Sequence, residues 1–320
     1  MTSAITPSQT MRGHTGRVKG VVCLPDRWRI ITCSWDGSLR LWNLKSGNQI
    51  GGDWRDEGYA EVSTMALSPN SKTVASGSYD GKVRVWDVET GKVIARWTKH
   101  SEHVNSMCWS PNGERVLSAC NYGAARVWNV ESGEVILGPI ATGDRYVPAV
   151  AYSPDGSKFA TAGFTSGAKI WDSTTGEQLH KQLQHKYEVW CLAWTSDTKK
   201  LICGSFGSIR IFDTATWNEI AVLDTPGRSI TAITLSCNNC FLASTSLDCT
   251  ARVWDLESNL QVGPPLHHAK GVECATLSAD GMCLVTGCHD TNTYMWDVGA
   301  IIKEHHLKHL LPISDAVSGK

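Results

Sequence analysis

The chain has 320 residues, of which 42% are hydrophobic and 19% are charged, so it can bury a large core and does not have the composition of a disordered segment. Thirty Lys and Arg residues balance 31 Asp and Glu residues, which leaves a net charge of −1 and argues against nucleic acid as a direct ligand. Residues 1–10 lack a signal-peptide core and no segment has the length and apolarity of a membrane span, so we predict an intracellular protein, cytoplasmic or nuclear rather than secreted.

A short phrase that ends in an aromatic residue recurs along the chain. Aliphatic residues precede the aromatic residue by one and three places, and a cation precedes it by two places in most copies. This alternation predicts a β-strand. Successive copies lie about 40–45 residues apart, which is the period of a four-stranded propeller blade. Seven copies occur, ending at Trp42, Trp86, Trp128, Trp171, Phe212, Trp254 and Trp296.

Further strands and turns surround each phrase. A second strand precedes it, as at 29–33, and a tight turn precedes that strand, as in the Pro-Asp-Gly sequence at 154–156. An outer strand follows the aromatic residue, as at 92–97, so four strands fill each period. The last repeat stops at Val298, before its outer strand. We therefore expect residues 9–12 to supply that strand and to leave no exposed sheet edge.

These elements predict the fold class and the domain organisation. We expect an all-β protein: a seven-bladed β-propeller of four-stranded antiparallel blades, with its ring closed by the N-terminal strand. Residues 1–8 form an N-terminal tail in this interpretation, residues 9–298 form the propeller, and residues 299–320 form a C-terminal tail compatible with a short helix.

The repeats resemble those of WD-repeat proteins over residues 10–298. In that family, a His before the innermost strand, a Ser or Thr in the second strand, an Asp in the next turn and the Trp of the third strand form a buried hydrogen-bonded set. The resemblance implies complete sets in the first and last repeats and partial sets in the others. The residues are His14, Thr32, Asp36 and Trp42; Ser76, Asp80 and Trp86; His100, Ser118 and Trp128; Thr161 and Trp171; His185 with Phe212; Ser244, Asp248 and Trp254; and His268, Thr286, Asp290 and Trp296.

Several repeats depart from the family pattern. Tyr122 and Thr165 stand where the third and fourth repeats should have Asp. Gly58, Gly143 and Pro226 stand where the second, fourth and sixth repeats should have His. The fifth repeat lacks one residue in the turn that normally carries Asp, which leaves its register open.

Clusters of His, Ser or Thr, and Asp also suggest a hydrolase, because these residue types build the triads of serine enzymes. A structural role is favoured here, since the set recurs around the ring and is expected to be buried and internally hydrogen-bonded. The sequence also lacks a Gly-rich phosphate loop. We predict no catalytic residue, no cofactor and no small-molecule substrate.

Two residue pairs have the spacing of half a metal site. Cys237 and Cys240 resemble half of a zinc knuckle, but they fall in a predicted hairpin turn and no second pair follows at ligand distance. His305 and His309 would share one face of a terminal helix without acidic companions. We therefore predict no metal site, and we interpret the twelve cysteines as free, mostly buried thiols.

The resemblance also implies a binding surface. In WD-repeat proteins, the side chains just before the Asp position and those flanking the first residue of each inner strand point onto the rim around the central channel. Aromatic residues with Arg and scattered carboxylates are typical of protein-recognition hot spots. The predicted rim residues are Arg17, Lys19, Trp35, Glu61, Tyr79, His103, Tyr146, Phe164, Glu188, Trp190, Phe206, Glu273 and His289.

The sequence thus favours a non-enzymatic scaffold or adaptor that presents a rigid rim to peptides or proteins in a multi-protein complex. Three alternatives stay open at this point. The chain is compatible with the substrate-receptor subunit of a ubiquitin ligase, with a component of an RNA-processing complex and, in a different class, with an enzyme.

Overall fold

The structure is a computed structural model that describes residues 5–58, 60–165 and 167–311. Residues 1–4 of the predicted N-terminal tail and residues 312–320 of the predicted C-terminal tail lie outside the described residues. Among the described residues, no helix has both the length and the apolar character needed to cross a membrane.

Almost every element of the structure is a β-strand. Strand β1 spans Gln9–Met11 and the single α-helix, α1, spans Val298–Glu304 in the described part of the chain. The other strands, in chain order, are β2 Val18–Cys23, β3 Arg29–Ser34, β4 Leu39–Asn43, β5 Gln49–Trp54, β6 Val62–Leu67, β7 Thr73–Ser78, β8 Val83–Asp87, β9 Val93–Trp97, β10 Val104–Trp109, β11 Arg115–Cys120, β12 Ala124–Asn129, β13 Val135–Ala141, β14 Ala149–Tyr152, β15 Lys158–Gly163, β16 Gly167–Asp172, β17 Leu183–Gln184, β18 Val189–Trp194, β19 Lys200–Asp213, β20 Glu219–Leu235, β21 Phe241–Ser246, β22 Thr250–Asp255, β23 Gln261–His267, β24 Val272–Leu277, β25 Cys283–Cys288 and β26 Thr293–Asp297.

The described strands form six antiparallel sheets, so the prediction of seven separate four-stranded blades is wrong. Five sheets have four strands: β2–β5, β6–β9, β10–β13, β14–β17, and β24–β26 together with β1. The sixth sheet joins β18 to β23 and has six strands. The molecule is therefore an all-β propeller in which one sheet is wider than the others.

The wide sheet arises because β20 is continuous across two repeats. The first part of β20 pairs with β19, and from Ile230 onward β20 pairs with β21. Phe206 pairs with Ser229, so the hydrogen-bonded ladder continues through the linker between the fifth and sixth repeats. The shortened turn of the fifth repeat lies inside β19, where Gly207 has a φ of 69°. Seven sequence repeats thus occupy six sheets.

The innermost strands form a closed ring around a central channel. Contacts run from β2 to β6, β10, β14, β18, the second part of β20, β24 and back to β2. Strand β1 pairs antiparallel with β26, with Gln9 opposite Met295 and Met11 opposite Thr293. The N-terminal segment therefore supplies the outer strand of the last sheet and covers the edge of β26.

The core lies between adjacent sheets. Leu39 and Trp54 of the first sheet pack with Val62, Val74 and Trp86 of the second, and all five side chains are buried. A similar cluster joins the last sheet to the first and includes Met11, Val18, Trp42, Cys274 and Val285. Burial of each large apolar side chain contributes about 1.5–3 kcal/mol, so the stacking of the sheets stabilises the closed ring.

Helix α1 packs on the propeller. Asp297 caps it by accepting a hydrogen bond from the Ala300 backbone N–H at 2.7 Å. Ile301 and Ile302 are buried in a cluster with residues of β21–β23. The Asn238 side chain also donates to the Leu310 carbonyl at 3.0 Å, so the described part of the C-terminal segment is attached to the sheet that contains β23.

Candidate functional site

Six tryptophans each make the same kind of buried hydrogen bond. Each donates its indole N–H to a Ser or Thr hydroxyl on the neighbouring strand of its own sheet, ten residues earlier in the chain. The pairs are Trp42–Thr32 at 2.7 Å, Trp86–Ser76 at 2.8 Å, Trp128–Ser118 at 2.7 Å, Trp171–Thr161 at 3.0 Å, Trp254–Ser244 at 2.9 Å and Trp296–Thr286 at 3.1 Å. Because these hydroxyls are buried and already hydrogen-bonded, they have the geometry of structural groups rather than nucleophiles.

The first repeat contains the full four-residue set. His14 Nδ1 donates to Asp36 Oδ2 at 2.7 Å, and Thr32 donates to His14 Nε2 at 2.8 Å. Thr32 in turn accepts the indole N–H of Trp42. Burial raises the pKa of Asp36, but the hydrogen bond from His14 outweighs it and holds that pKa well below its usual range. Asp36 is therefore ionised and fixes the His14 tautomer.

The seventh repeat differs from the complete set that the resemblance implies. His268 Nε2 lies 2.8 Å from the Thr286 hydroxyl, but His268 Nδ1 donates to the Leu266 carbonyl at 3.1 Å. Asp290 instead accepts the Tyr294 hydroxyl at 2.5 Å. Tyr294 occupies the position that carries a cation in the other repeats, and its hydroxyl draws the carboxylate away from the His.

A cation replaces the missing His in the second repeat. Arg84 Nε donates to Asp56 at 2.6 Å and Arg84 NH2 donates to Asp80 at 2.7 Å.

In the third repeat the His is present, and Arg126 donates to His100 Nδ1 at 2.9 Å. Burial and the charge of Arg126 lower the pKa of His100 to about 3, so this ring is neutral. In the sixth repeat, Asp248 accepts from Arg252.

The fifth repeat has lost this network. Phe212 replaces the Trp, and Ile202 stands ten residues earlier, where the other repeats have a hydroxyl. His185 is buried, and neither of its ring nitrogens has a hydrogen-bond partner among the described residues. Burial, aided by the charge of Arg210, lowers the pKa of His185 to about 4.

A cavity of about 500 Å³ occupies the part of the central channel that the rim surrounds. Inner-strand residues line its walls, among them Gly20, Met65, Ala149, Leu192 and Ala232. Eight predicted rim residues line the cavity: Arg17, Lys19, Trp35, Tyr79, Tyr146, Trp190, Glu273 and His289. The other five predicted rim residues, Glu61, His103, Phe164, Glu188 and Phe206, lie outside its lining.

Two aromatic clusters lie at this mouth. The first contains Trp35, Tyr79 and His103, with ring centroids 5.9 Å apart for Trp35–Tyr79 and 3.9 Å apart for Tyr79–His103. Arg17 and Lys19 both lie over the Trp35 ring, at 4.7 and 5.2 Å from its centroid. These distances are within the range of cation–π attraction.

The second cluster contains Tyr146, Phe164 and Trp190. The Phe164 centroid lies 4.9 Å from each of the other two rings, which are 6.2 Å apart. Burial raises the pKa of Tyr146 to about 12, so its hydroxyl stays protonated at neutral pH. His103 and Phe164 thus belong to the site through contacts with rings that line the cavity.

Glu273 of the last sheet pairs with Lys19 of the first sheet at the channel mouth. Glu273 accepts from Lys19 Nζ at 2.8 Å and also accepts a hydrogen bond from His289 Nε2. Burial raises the pKa of Glu273, but His289 and Lys19 outweigh it and lower that pKa to about 2. The carboxylate is therefore ionised at neutral pH.

Two exposed aromatic residues were missed by the sequence-based prediction of the rim. Tyr187 lies 5.2 Å from Phe206, centroid to centroid. Tyr122 is 77% exposed and lies in the turn after β11. The sequence did contain a signal for Tyr122. This residue stands at the Asp position of the third repeat, and a large aromatic ring in a solvent-facing turn is unusual.

The described residues do not assemble a metal site. They contain no cluster of three or more His, Cys, Asp or Glu side chains arranged around one point. Cys237 is exposed, Cys240 is half-buried, and both are free thiols.

Comparisons with known proteins agree with the observed architecture. Residues 57–297, more than half of the chain, match the family model described as IFT122 first beta-propeller, and residues 5–43 match the model described as WD domain, G-beta repeat. A stretch of 69 residues is 38% identical to the guanine nucleotide-binding protein subunit beta of Arabidopsis thaliana, and covers 22% of this chain and 18% of that protein. A stretch of 116 residues is 25% identical to the transcription factor unc-37 of Caenorhabditis elegans, and covers 36% of this chain and 19% of that protein. The similarity therefore spans only a small part of each relative.

Proposed function

Because this chain belongs to the WD-repeat proteins, in the family described as IFT122 first beta-propeller, we propose that it is a non-enzymatic scaffold or adaptor. Propellers of this kind are typically protein-interaction scaffolds. In the proposal, the rim around the channel mouth binds a peptide or protein, while the sides or the opposite rim of the propeller engage other members of a complex.

One observation carries the proposal: aromatic side chains from several repeats converge on a single cavity mouth. Trp35, Tyr79, Tyr146 and Trp190 all line the cavity of about 500 Å³. Large aromatic rings supply much contact area at low cost in conformational entropy, and they dominate the energetics of protein interfaces. The rings are carried by the ends of the propeller strands and their short loops, which reduces the conformational entropy lost on binding.

The indole nitrogens of Trp35 and Trp190 further support an interaction role. Both are buried and neither has a hydrogen-bond partner among the described residues. An unpaired buried donor costs about 1–3 kcal/mol. Small rotations of these rings would allow a bound partner to supply the missing acceptors, which would make binding more favourable.

The experiment compares partner capture by the wild-type protein and by the double variant Trp35→Ala, Trp190→Ala. Tagged protein is incubated with an extract of its native cells, and captured proteins are identified by mass spectrometry. We expect the variant to lose the main partners while its thermal unfolding midpoint stays within a few degrees of the wild type. Trp28→Ala is the matched control, because Trp28 is 48% exposed in the turn between β2 and β3, at the opposite end of the sheet. Equal capture by the double variant and wild type would contradict the site assignment.

We also propose an intracellular location, cytoplasmic or nuclear. The names of the two relatives, a guanine nucleotide-binding protein subunit and a transcription factor, support this proposal. Imaging of the tagged full chain in its native cells is the direct test, and secretion into the medium would contradict it.

A further inference from the structure

Exposed aromatic side chains are concentrated on one part of the rim. Of the described residues, the exposed large aromatic ones are Trp28, Tyr79, Tyr122, Phe164, Tyr187 and Phe206. All except Trp28 lie in loops at the same end of the sheets as the channel mouth. The last four, together with the half-buried Tyr146 and Trp190, belong to the third, fourth and fifth repeats, and we call these six residues the aromatic arc.

The rings of the aromatic arc lie in neighbouring loops and form two contacting groups. The backbone N–H of Tyr122 donates to the Arg145 carbonyl at 2.8 Å, which places the Tyr122 turn beside the loop that carries Tyr146. Tyr146 contacts Phe164, and Phe164 contacts Trp190. Tyr187 lies in the loop before Trp190 and contacts Phe206, with the two rings tilted by 57°. A single extended ligand can therefore touch all of these rings.

The conformation of Tyr122 points to a ligand. Its φ is 63°, in the left-handed region that a bulky residue rarely adopts, and the next residue, Gly123, has a φ of 75°. The ring is 77% exposed, so packing within the fold does not explain why an aromatic residue is held there. Strained backbone of this kind is concentrated at functional sites.

The charge around the aromatic arc is positive, although the whole chain carries −1. The flanking loops are residues 99–103, 121–123, 143–148, 181–188 and 224–229. Their exposed charges are one carboxylate, Asp224, and five cations: Lys99, Arg145, Lys181, Lys186 and Arg228. None of these five cations forms a salt bridge with a carboxylate of the described residues.

Three further carboxylates in these loops offset part of this charge and leave an excess of cations. Asp144 is buried and pairs with Lys169 at 3.5 Å, and its oxygen also accepts from Thr165. Glu102 and Glu188 are half-buried. A surface that combines exposed aromatic rings with unpaired cations is complementary to a ligand that carries both apolar side chains and negative charge.

We propose that the aromatic arc binds an extended acidic peptide segment whose apolar side chains pack on the exposed rings of Tyr122, Phe164 and Phe206, with its carboxylates on Arg145 and Lys186. This inference rests on the proposed function and specifies the chemistry of the partner. Single-stranded RNA is the competing ligand, because base stacking on aromatic rings beside cations is its common binding mode. The peptide is favoured because the whole chain carries a net charge of −1 and lacks the broad basic field that collects nucleic-acid phosphates.

The test uses three defined probes at equal concentration. Two are synthetic libraries of 12-residue peptides that share a central Phe, Trp or Leu, with Asp and Glu at the flanking positions in one library and Lys and Arg in the other. The third is a 12-nucleotide oligouridylate. We expect the full chain to select peptides from the acidic library alone, with an affinity that falls as salt is raised. Selection from the basic library, or tighter binding of the oligouridylate, would overturn the proposal.

Variants then assign the selected peptides to the aromatic arc. We expect Tyr122→Ala, and separately Arg145→Glu with Lys186→Glu, to weaken the selected peptides at least tenfold. The matched control is Lys92→Glu with Lys199→Glu, because both lysines are exposed in turns at the opposite end of the sheets. Circular dichroism and thermal unfolding confirm that each variant is folded. Equal effects of the two double charge reversals would overturn the assignment.

The two proposals fail in different ways. Loss of native partners in Trp35→Ala, Trp190→Ala with no effect of Tyr122→Ala would support the rim as an interaction site and contradict the aromatic arc as the acidic-peptide site. Retention of native partners in the tryptophan variant contradicts the rim around the channel mouth as the partner-binding site, whichever synthetic peptides bind.

Discussion

Lys19 Nζ and Glu273 Oε2 lie 2.8 Å apart although they are separated by 254 positions in the chain. Lys19 belongs to the first innermost strand and Glu273 to the last, so this ion pair crosses the seam where the ring closes. The His289 side chain contacts the same carboxylate. The first and last sheets are thus held together by this ion pair at the channel mouth and by the apolar cluster that contains Met11, Val18 and Trp42.

The first prediction concerns this seam. Glu273→Gln removes a carboxylate that holds two partners, and we expect the free energy of unfolding at pH 7 to fall by about 1–3 kcal/mol. The pKa of Glu273 is lowered in the folded protein to about 2, so its stabilising effect is present above the unfolded pKa near 4.5 and is lost as the pH falls towards 2. Urea unfolding of variant and wild type should therefore converge over that range. Glu61→Gln, at an exposed rim carboxylate, is the control and should change stability little at any pH.

The second prediction concerns the buried sets. Thr32→Val leaves the indole N–H of Trp42 and the Nε2 atom of His14 without their partner, and we expect a loss of about 2–4 kcal/mol, since each unpaired buried group costs about 1–3 kcal/mol. Urea unfolding measures the change. Thr90→Val is the control, because it makes the same Thr-to-Val change in an exposed turn outside the buried sets. A loss below about 0.5 kcal/mol would show that these hydrogen bonds do not stabilise the repeat.

The third prediction concerns His185. Because neither of its ring nitrogens is paired within the described residues, His185→Phe should leave stability unchanged at pH 7 or raise it by about 1 kcal/mol. His100→Phe should instead lower stability, because His100 bonds to Ser118 and Arg126.

The pH dependence of the same variant gives an independent check. The pKa of His185 is about 4 in the folded protein, below its unfolded value near 6.5, so the unfolded state binds the proton first as the pH falls. Wild-type stability should therefore decrease from pH 6.5 to pH 4 more steeply than that of His185→Phe. Parallel curves would contradict the buried, neutral state of this ring.

The fourth prediction concerns ring closure. Met11 is 1% exposed and packs against Trp42 in the cluster that joins the last sheet to the first. Met11→Ala should lower the free energy of unfolding by about 2–5 kcal/mol, because it removes buried apolar contacts and leaves a cavity. Thr10→Ala, at a half-buried position in the same strand, should cost much less. Similar losses for the two variants would contradict the role of Met11 in closing the ring.

Much of the local structure could be predicted from single repeats. The Trp and the hydroxyl ten residues earlier recur with fixed spacing, and adjacent antiparallel strands joined by a short turn bring them together without help from the rest of the chain. The alternation of side chains likewise identified the strands. The count of sheets could not be obtained in this way, because the continuity of β20 depends on the pairing of Phe206 with Ser229 across a linker that resembles the others in length.

The amino-acid sequence by itself determined seven repeated units and the rim positions of most of the aromatic residues, since these follow from strand periodicity and turn spacing over short distances. The tertiary structure decided which of those side chains meet. Lys19 contacts Glu273 only when the ring is closed. Asp290 accepts the hydroxyl of Tyr294 and does not pair with His268. Tyr122 is exposed in a turn where it and the next residue both have left-handed backbone angles. Such contacts depend on distances between repeats and on backbone angles, which a pattern of residue types along the chain does not contain.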